Sequence, residues 1–300
     1  MMSAMSDNDT NYLERRLNVK GKVAVIAGGG GGLGRAIAIE FARAGMHLAL
    51  ADRNEMLLTD TVTEARGADV SVISQVIDLR DPEALAAFYA SVATEHTAVD
   101  VCVNVVGGTF RQSFADTAPK AWDALIRTNY TWLLNSTHHA IPLIRKTGRG
   151  GSIINLSSVE GHRAAPGFAV YAGLKGAVEN FTRTLAVELG PEGIRVNTIA
   201  PDVTPTEGMA GIGGNGGVMD ADEVGAANVR ISFPMGRLGT YDDIGGSALF
   251  LASDLSRYVT GTCLHPDGGT YASSGWFNWP GSGFGNTVPA DAVRAVMAKG

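Results

Sequence analysis

One junction constrains this chain more than any other feature. Lys22-Val23-Ala24-Val25-Ile26-Ala27 is a short apolar run that passes directly into Gly28-Gly29-Gly30-Gly31-Gly32-Leu33-Gly34. Beyond it, Ile37, Phe41 and Ala44 recur at helical spacing. An apolar run without polar alternation is the pattern of a strand buried on both faces. Glycines after it allow a sharp reversal and close approach to the backbone, and they open a helix whose free N–H groups favour an anion. No Gly-Lys-Ser/Thr follows, so the loop is not of the P-loop type.

The same alternation continues along the chain. Further strands are predicted over residues 47–51, 70–77, 99–106, 152–156, 195–200 and 261–266. Helices are predicted between them: to about residue 66, behind the Asp81-Pro82-Glu83 start signal, over 122–144, through Leu174, Val178, Phe181, Leu185 and Leu189, and over 242–252. Such alternation forces right-handed crossovers and a parallel sheet covered on both faces. The expected fold is α/β: a Rossmann-like doubly wound parallel sheet in three α/β/α layers. It is expected as a single domain over residues 20–272, after a flexible leader (1–19) and before a C-terminal extension (273–300). Ligands on such sheets bind at the carboxyl ends of the strands.

Composition closes other routes. No run reaches the roughly 18 apolar residues of a membrane span, and the leader, with Asp7 and Asp9, has no apolar region of a secretory signal. A net charge of −6 without a basic cluster makes nucleic acid a poor partner. Cys102 and Cys263 have no CxxC spacing, and His138-His139 lack ligand spacing, so no metal is expected. A cytoplasmic location is expected.

Asp52 ends the second strand 18 residues after Gly34, where a ribose-binding acid belongs. Its carboxylate would accept from ribose hydroxyls and repel a 2′-phosphate, which favours NAD; the neighbouring Arg53 keeps NADP possible. Further on, Tyr171-Ala172-Gly173-Leu174-Lys175 sets a phenol and an ammonium at i and i+4 on one helix face. A cation about 4 Å away is worth roughly 4 kcal/mol at an effective dielectric near 20, at most about three pKa units. That would bring a phenol into useful acid–base range.

With Ser157-Ser158 after the fifth strand and Asn129 in the preceding helix, these motifs resemble the short-chain dehydrogenase/reductase superfamily over about residues 20–271. Asp78-Leu79, Asn104-Val105-Val106-Gly107, Arg195-Val196-Asn197 before Ala200-Pro201, and Asp267-Gly268-Gly269 extend the resemblance in the same order. It implies Tyr171 as general acid/base, Ser158 as the serine that binds the substrate oxygen, and Lys175 as holder of the nicotinamide ribose. Asn129 would support a water relay to that lysine. Cofactor contacts are implied for Gly28, Gly31, Gly32, Leu33, Gly34, Asp52, Arg53, Asp78, Leu79, Asn104, Gly107, Pro201, Val203 and Thr206, beside Tyr171 and Lys175. Four positions depart from the family pattern: Ala27 for Thr, Val105-Val106 for Asn-Ala, Leu174 for Ser, and Asp202 for the Gly after Pro201.

The resemblance places the substrate pocket at Thr109, Phe110 and Arg111, at His162 and Phe168, and at Met209 in a lid over about 203–232. Six glycines between Gly208 and Gly217 make that lid either a mobile flap or a disordered surface loop. The implied activity is an NAD-dependent alcohol dehydrogenase or ketone reductase acting on a hydrophobic, cyclic or steroid-like alcohol. A 3-oxoacyl-thioester reductase is the alternative, and a non-catalytic dinucleotide sensor the remote one. The small-molecule substrate would be turned over by a homo-oligomer, and the aromatic stretch Trp276-Phe277-Asn278-Trp279 is expected to pack at a subunit interface or a neighbour's pocket rim.

Overall fold

The computed structural model describes residues 7–207, 223–281 and 283–297. Most of the glycine-rich lid, Met209 included, lies outside them. In chain order the elements are α1 (Asp7–Leu17), β1 (Val23–Ala27), α2 (Gly32–Arg43), β2 (His47–Asp52), α3 (Glu55–Arg66), β3 (Val72–Val76), α4 (Pro82–Glu95) and β4 (Val101–Asn104). There follow α5 (Pro119–Ile126), α6 (Trp132–Arg145), β5 (Gly151–Leu156), α7 (Ala169–Leu189), β6 (Ile194–Ile199), α8 (Glu223–Ser232), α9 (Tyr241–Ala252) and β7 (Cys263–Leu264). The chain closes with α10 (Thr270–Ser273), β8 (Phe277–Trp279), β9 (Gly283–Gly285) and α11 (Ala290–Met297).

Strands β1 to β7 form one parallel sheet in the order β3-β2-β1-β4-β5-β6-β7. Its two faces carry separate cores. Along β1, Ala24 and Ile26 join Ile37, Phe41, Ile244 and Leu251 of α2 and α9, whereas Val25 and Ala27 join Leu85, Phe88, Trp132, Leu133 and Val178 of α4, α6 and α7. Both sets come from adjacent strand positions, which is why β1 reads as a continuous apolar run. Phe41 is fully buried, and a side chain of that kind contributes about 1.5–3 kcal/mol. The strand order reverses between β1 and β4, opening the crevice that the glycine loop enters.

Four features differ from the sequence reading. A flexible leader was expected over residues 1–19; within it the structure forms helix α1, which packs beside the turn Asp254–Ser256. The helix predicted over 122–144 is broken by a π-helical turn, Arg127–Thr131. There Asn129 Nδ2 donates to Leu125 O (3.0 Å) and Trp132 Nε1 to Thr128 O (2.9 Å), so side chains take carbonyls that the α-helical ladder would use. Helix α8 was not foreseen. Nor was the antiparallel β8–β9 hairpin, which packs on α8 of the same chain while Trp276, Phe277 and Phe284 remain exposed.

Candidate active site

The loop between β1 and α2 is shaped by backbone contacts. Gly28 sits at φ +96° and donates its N–H to Ala51 O (2.8 Å). A Cβ on Gly34 would fall 1.8 Å from Gly28 O, and one on Gly28 would fall 2.6 Å from Val106 Cγ2. Gly31 precedes α2 without any side-chain cap, so the first N–H groups of that helix face outward unpaired by a cap. Thr206 stands across from them, its Cβ 3.3 Å from the β position of Gly32. Asp52 accepts from Gly30 N and from Asn54 N, each at 3.0 Å, which fixes the carboxylate at the carboxyl end of β2 beside the loop. An uncapped helix start, a backbone stripped of side chains and an oriented acid fit the diphosphate and ribose of a nicotinamide dinucleotide.

The remaining cofactor candidates divide. Gly107 sits where Asn129 and Lys175 meet: a Cβ there would lie 3.0 Å from Asn129 Oδ1 and 3.1 Å from Lys175 Nζ. Pro201 O accepts from Val159 N (3.2 Å) and Val203 O from Gly239 N (3.0 Å), so this segment is tied to the serine loop on one side and to Gly239 on the other. Asp78 is clasped by Arg80 (2.6 Å), which holds its carboxyl down at about 2; Arg53 is close enough to add to that effect. Leu79 is buried in the core on one face of the sheet, and Leu33, half-buried, packs against the core on the other. Asn104 requires a correction. Its side chain does not line the cleft but donates to Asn155 Oδ1 (2.8 Å) and Thr137 Oγ1 (3.1 Å) and accepts from Ser136 Oγ (2.6 Å). The position is fully buried, so its amide can only be satisfied inside the protein.

Ser158, Tyr171, Lys175 and Asn129 converge. Ser158 follows β5, accepts from Glu160 N (3.3 Å), and its hydroxyl acts to lower the Tyr171 pKa. Lys175, one turn along α7, is 3% exposed, donates to Leu156 O (2.9 Å) and lies 5.5 Å from the centroid of the Tyr171 ring. Asn129 Oδ1 accepts from Gly108 N (3.1 Å), presenting the π-helical turn to the same place. Ser157, by contrast, is turned inward, donating to Glu179 Oε1 (2.6 Å) and Lys175 O (3.1 Å).

The electrostatics overturn one expectation. Burial pushes the Tyr171 phenol up to about 12; the Ser158 hydroxyl works against this, while the charges of Glu160 and Asp202 add to it. Burial likewise brings the Lys175 ammonium down to about 8. The lysine stands over the ring face and bonds a carbonyl, so in this state it does not bring the phenol into neutral range. The departure at Asp202 has consequences here. Its carboxylate accepts from Arg163 (3.0 Å) and Thr270 Oγ1 (2.6 Å), and Glu160 takes Arg163 from the other side (2.9 Å).

Thr109, Phe110 and Phe168 line one crevice with Tyr171. Gln112, Phe114 and Leu125 line it too and were missed, because they lie in segments without periodicity or on a helix face that reads as core. Arg111 lies against Gly167, whose β position is 2.9 Å from its Cγ. His162 does not line the crevice: its Nε2 points to Glu179 Oε1 (2.9 Å) and Cys263 Sγ (3.3 Å). Glu179 was also missed, although it stands at i+4 from Lys175 on the face that carries Tyr171.

Comparison with known proteins agrees with this geometry. Residues 28–271 match the family described as Enoyl-(Acyl carrier protein) reductase. The chain is 33% identical over 253 residues to the 3-oxoacyl-[acyl-carrier-protein] reductase of Thermotoga maritima, covering 84% of this chain and 99% of that one. It is 34% identical over 249 residues to the 2,5-dichloro-2,5-cyclohexadiene-1,4-diol dehydrogenase of Sphingobium indicum, covering 83% and 96%. Among solved structures it is similar to carveol dehydrogenase from Mycobacterium avium in complex with NAD, at TM-score 0.77 and 30% identity over 85% of this chain and 99% of the other. Proteins of this kind use NAD or NADP and are typically homo-oligomers acting on small molecules. No described helix is long and apolar enough to cross a membrane. Glycine loop, sheet order and sequence likeness lead to one conclusion: the chain belongs to the short-chain dehydrogenase/reductase superfamily and is an NAD(P)-dependent oxidoreductase acting on CH–OH groups.

Proposed function

We propose that the protein interconverts a hydrophobic secondary alcohol and its ketone, with NAD as the preferred cofactor. The observation that carries this reading is the crevice itself: Phe110, Phe114, Leu125 and Phe168 line it together with Tyr171. When bound, a nicotinamide supplies hydride exchange with the carbinol carbon. Tyr171 Oη takes the hydroxyl proton in oxidation and returns it in reduction, while Ser158 Oγ holds the substrate oxygen. Lys175 and Asn129, meeting beside Gly107, hold the ribose and pass protons onward. Asp52, already oriented by two backbone N–H groups, accepts the adenosine ribose hydroxyls and disfavours a 2′-phosphate.

An anionic acyl carrier would look for cations at the rim. Arg163 is taken up by Glu160 and Asp202, which favours the neutral alcohol; the likeness to a 3-oxoacyl reductase supports the other reading. A panel of steroid, cyclic and terpenoid alcohols, set against 3-oxoacyl thioesters and run with both cofactors, decides the matter through nicotinamide absorbance. Expected is a kcat/KM at least about tenfold higher for a cyclic alcohol with NAD, equivalent to 1.4 kcal/mol. Faster turnover of a thioester with NADP would overturn both parts of the proposal.

A further inference from the structure

Behind the active centre lies a cluster that no step above uses. His162, Cys263 and His265 each offer a ligand atom, and these atoms lie within 4.8 Å of one another. Their convergence has a structural cause. Cys263 and His265 are two residues apart along and just beyond β7, which puts them on one face of the strand, and His162 caps the turn Val159–Gly161 opposite. His265 Nε2 is buried with no hydrogen-bond partner. A buried imidazole nitrogen without a partner is an open donor atom for a metal ion. The His162 and His265 rings stand 4.5 Å apart, and Tyr271 covers His265 at 4.7 Å, nearly parallel at 13°.

We propose that His162, Cys263 and His265 bind one zinc ion, which fastens the loop after Ser158 to the edge strand β7. Two imidazoles and a thiolate form a donor set suited to zinc and poorly suited to magnesium or calcium, which take oxygen ligands. With Zn–N near about 2.0 Å and Zn–S near about 2.3 Å, ligand atoms on a tetrahedral ion stand about 3.3–3.5 Å apart; His162 Nε2 and Cys263 Sγ already lie 3.3 Å apart, and His265 closes the set by moving inward by up to about 1.5 Å. On binding, the Cys263 S–H bond breaks and its proton leaves to solvent. His162 exchanges its bond to Glu179 for one to the metal, and Glu179 stays held by Ser157. Three protein ligands leave the fourth position to water. The role is structural and takes no part in hydride transfer.

The test uses the full chain, stripped with a chelator and then titrated with Zn²⁺ in a calorimeter and with Co²⁺ in a spectrophotometer. One ion per chain is expected, with a thiolate-to-cobalt band in the near ultraviolet that zinc displaces. Cys263→Ser should abolish the band, and His265→Gln should weaken zinc binding by more than the roughly 100-fold that loss of an outer-shell partner costs. Cys102→Ser, altered far from the cluster, should keep the band. Absence of zinc binding by the unaltered chain, or a band that survives Cys263→Ser, would overturn the proposal. If Cys263→Ser does not fold, by circular dichroism, the unaltered chain and His265→Gln decide it.

Discussion

Two regions meet at the carboxyl edge of the sheet, and they are built by opposite means. The glycine loop is made of main chain folded on main chain within a few residues: Gly34 lies against Gly28 O, and Gly30 is bonded by Asp52 from the next strand. The Tyr171 centre is made of side chains delivered by β5, the π-helical turn, α7 and the segment around Asp202. The first is governed by volume, because no atom can be added. The second is governed by charge, because a phenol and an ammonium are both held out of water. Substitutions in the two regions should therefore fail in different ways.

The largest effect is expected at the centre. Tyr171→Phe keeps the shape of the crevice and removes the proton carrier, so turnover should fall by about 10²- to 10⁴-fold. The glycine loop is untouched, and cofactor affinity, followed by nicotinamide fluorescence, should stay within a few-fold. Retained turnover would move proton transfer to another group and dissolve the contrast.

Next comes the loop. In Gly34→Ala the new Cβ meets Gly28 O at 1.8 Å, and main chain cannot step aside as a flexible side chain can. Overpacking of this kind costs about 1–3 kcal/mol, and the distorted turn should weaken cofactor binding along with Tm. Gly173→Ala supplies the contrast, since a Cβ there meets nothing within 4 Å. In a helix interior that change should raise stability by up to about 1 kcal/mol. Equal Tm for the two variants would show that the loop has slack that the contacts do not reveal.

The same division explains what could be read from the chain. The loop is local, so its glycines, Asp52 and the flanking strand were legible in consecutive residues, and β1 falls where the apolar run does. β4 was drawn too long because Val105 and Val106 stay apolar after it ends at Asn104; Val105 N still bonds Ala27 O (3.0 Å), and Val106 packs against the core and Gly28. At the centre, spacing placed Tyr171 and Lys175 on one face but said nothing of their burial, and burial sets both pKa values. The π-helical turn depends on Asn129 and Trp132 competing for carbonyls, which periodicity does not record. His162 and Cys263 are 101 residues apart, so a rule based on local ligand spacing excluded a cluster that only the strand register assembles.

The smallest expected effect is the most diagnostic of control by charge. Asp202 and Glu160 both raise the Tyr171 pKa. Asp202→Asn removes one of these charges and frees Arg163 from one of its two carboxylates, and each change favours the phenolate. Oxidation needs the deprotonated phenol, so its rate climbs with pH through that group's pKa. Lowering the pKa moves the climbing limb to lower pH. An asparagine can still accept from Thr270, so the fold should hold and cofactor affinity should not move. Glu160→Gln should shift the profile in the same direction. The measurement is kcat/KM for alcohol oxidation across pH in the three proteins. A limb that stays in place, or moves upward, would mean that Asp202 acts through the shape of its bonds rather than its charge, and the centre would then obey the same rule as the loop.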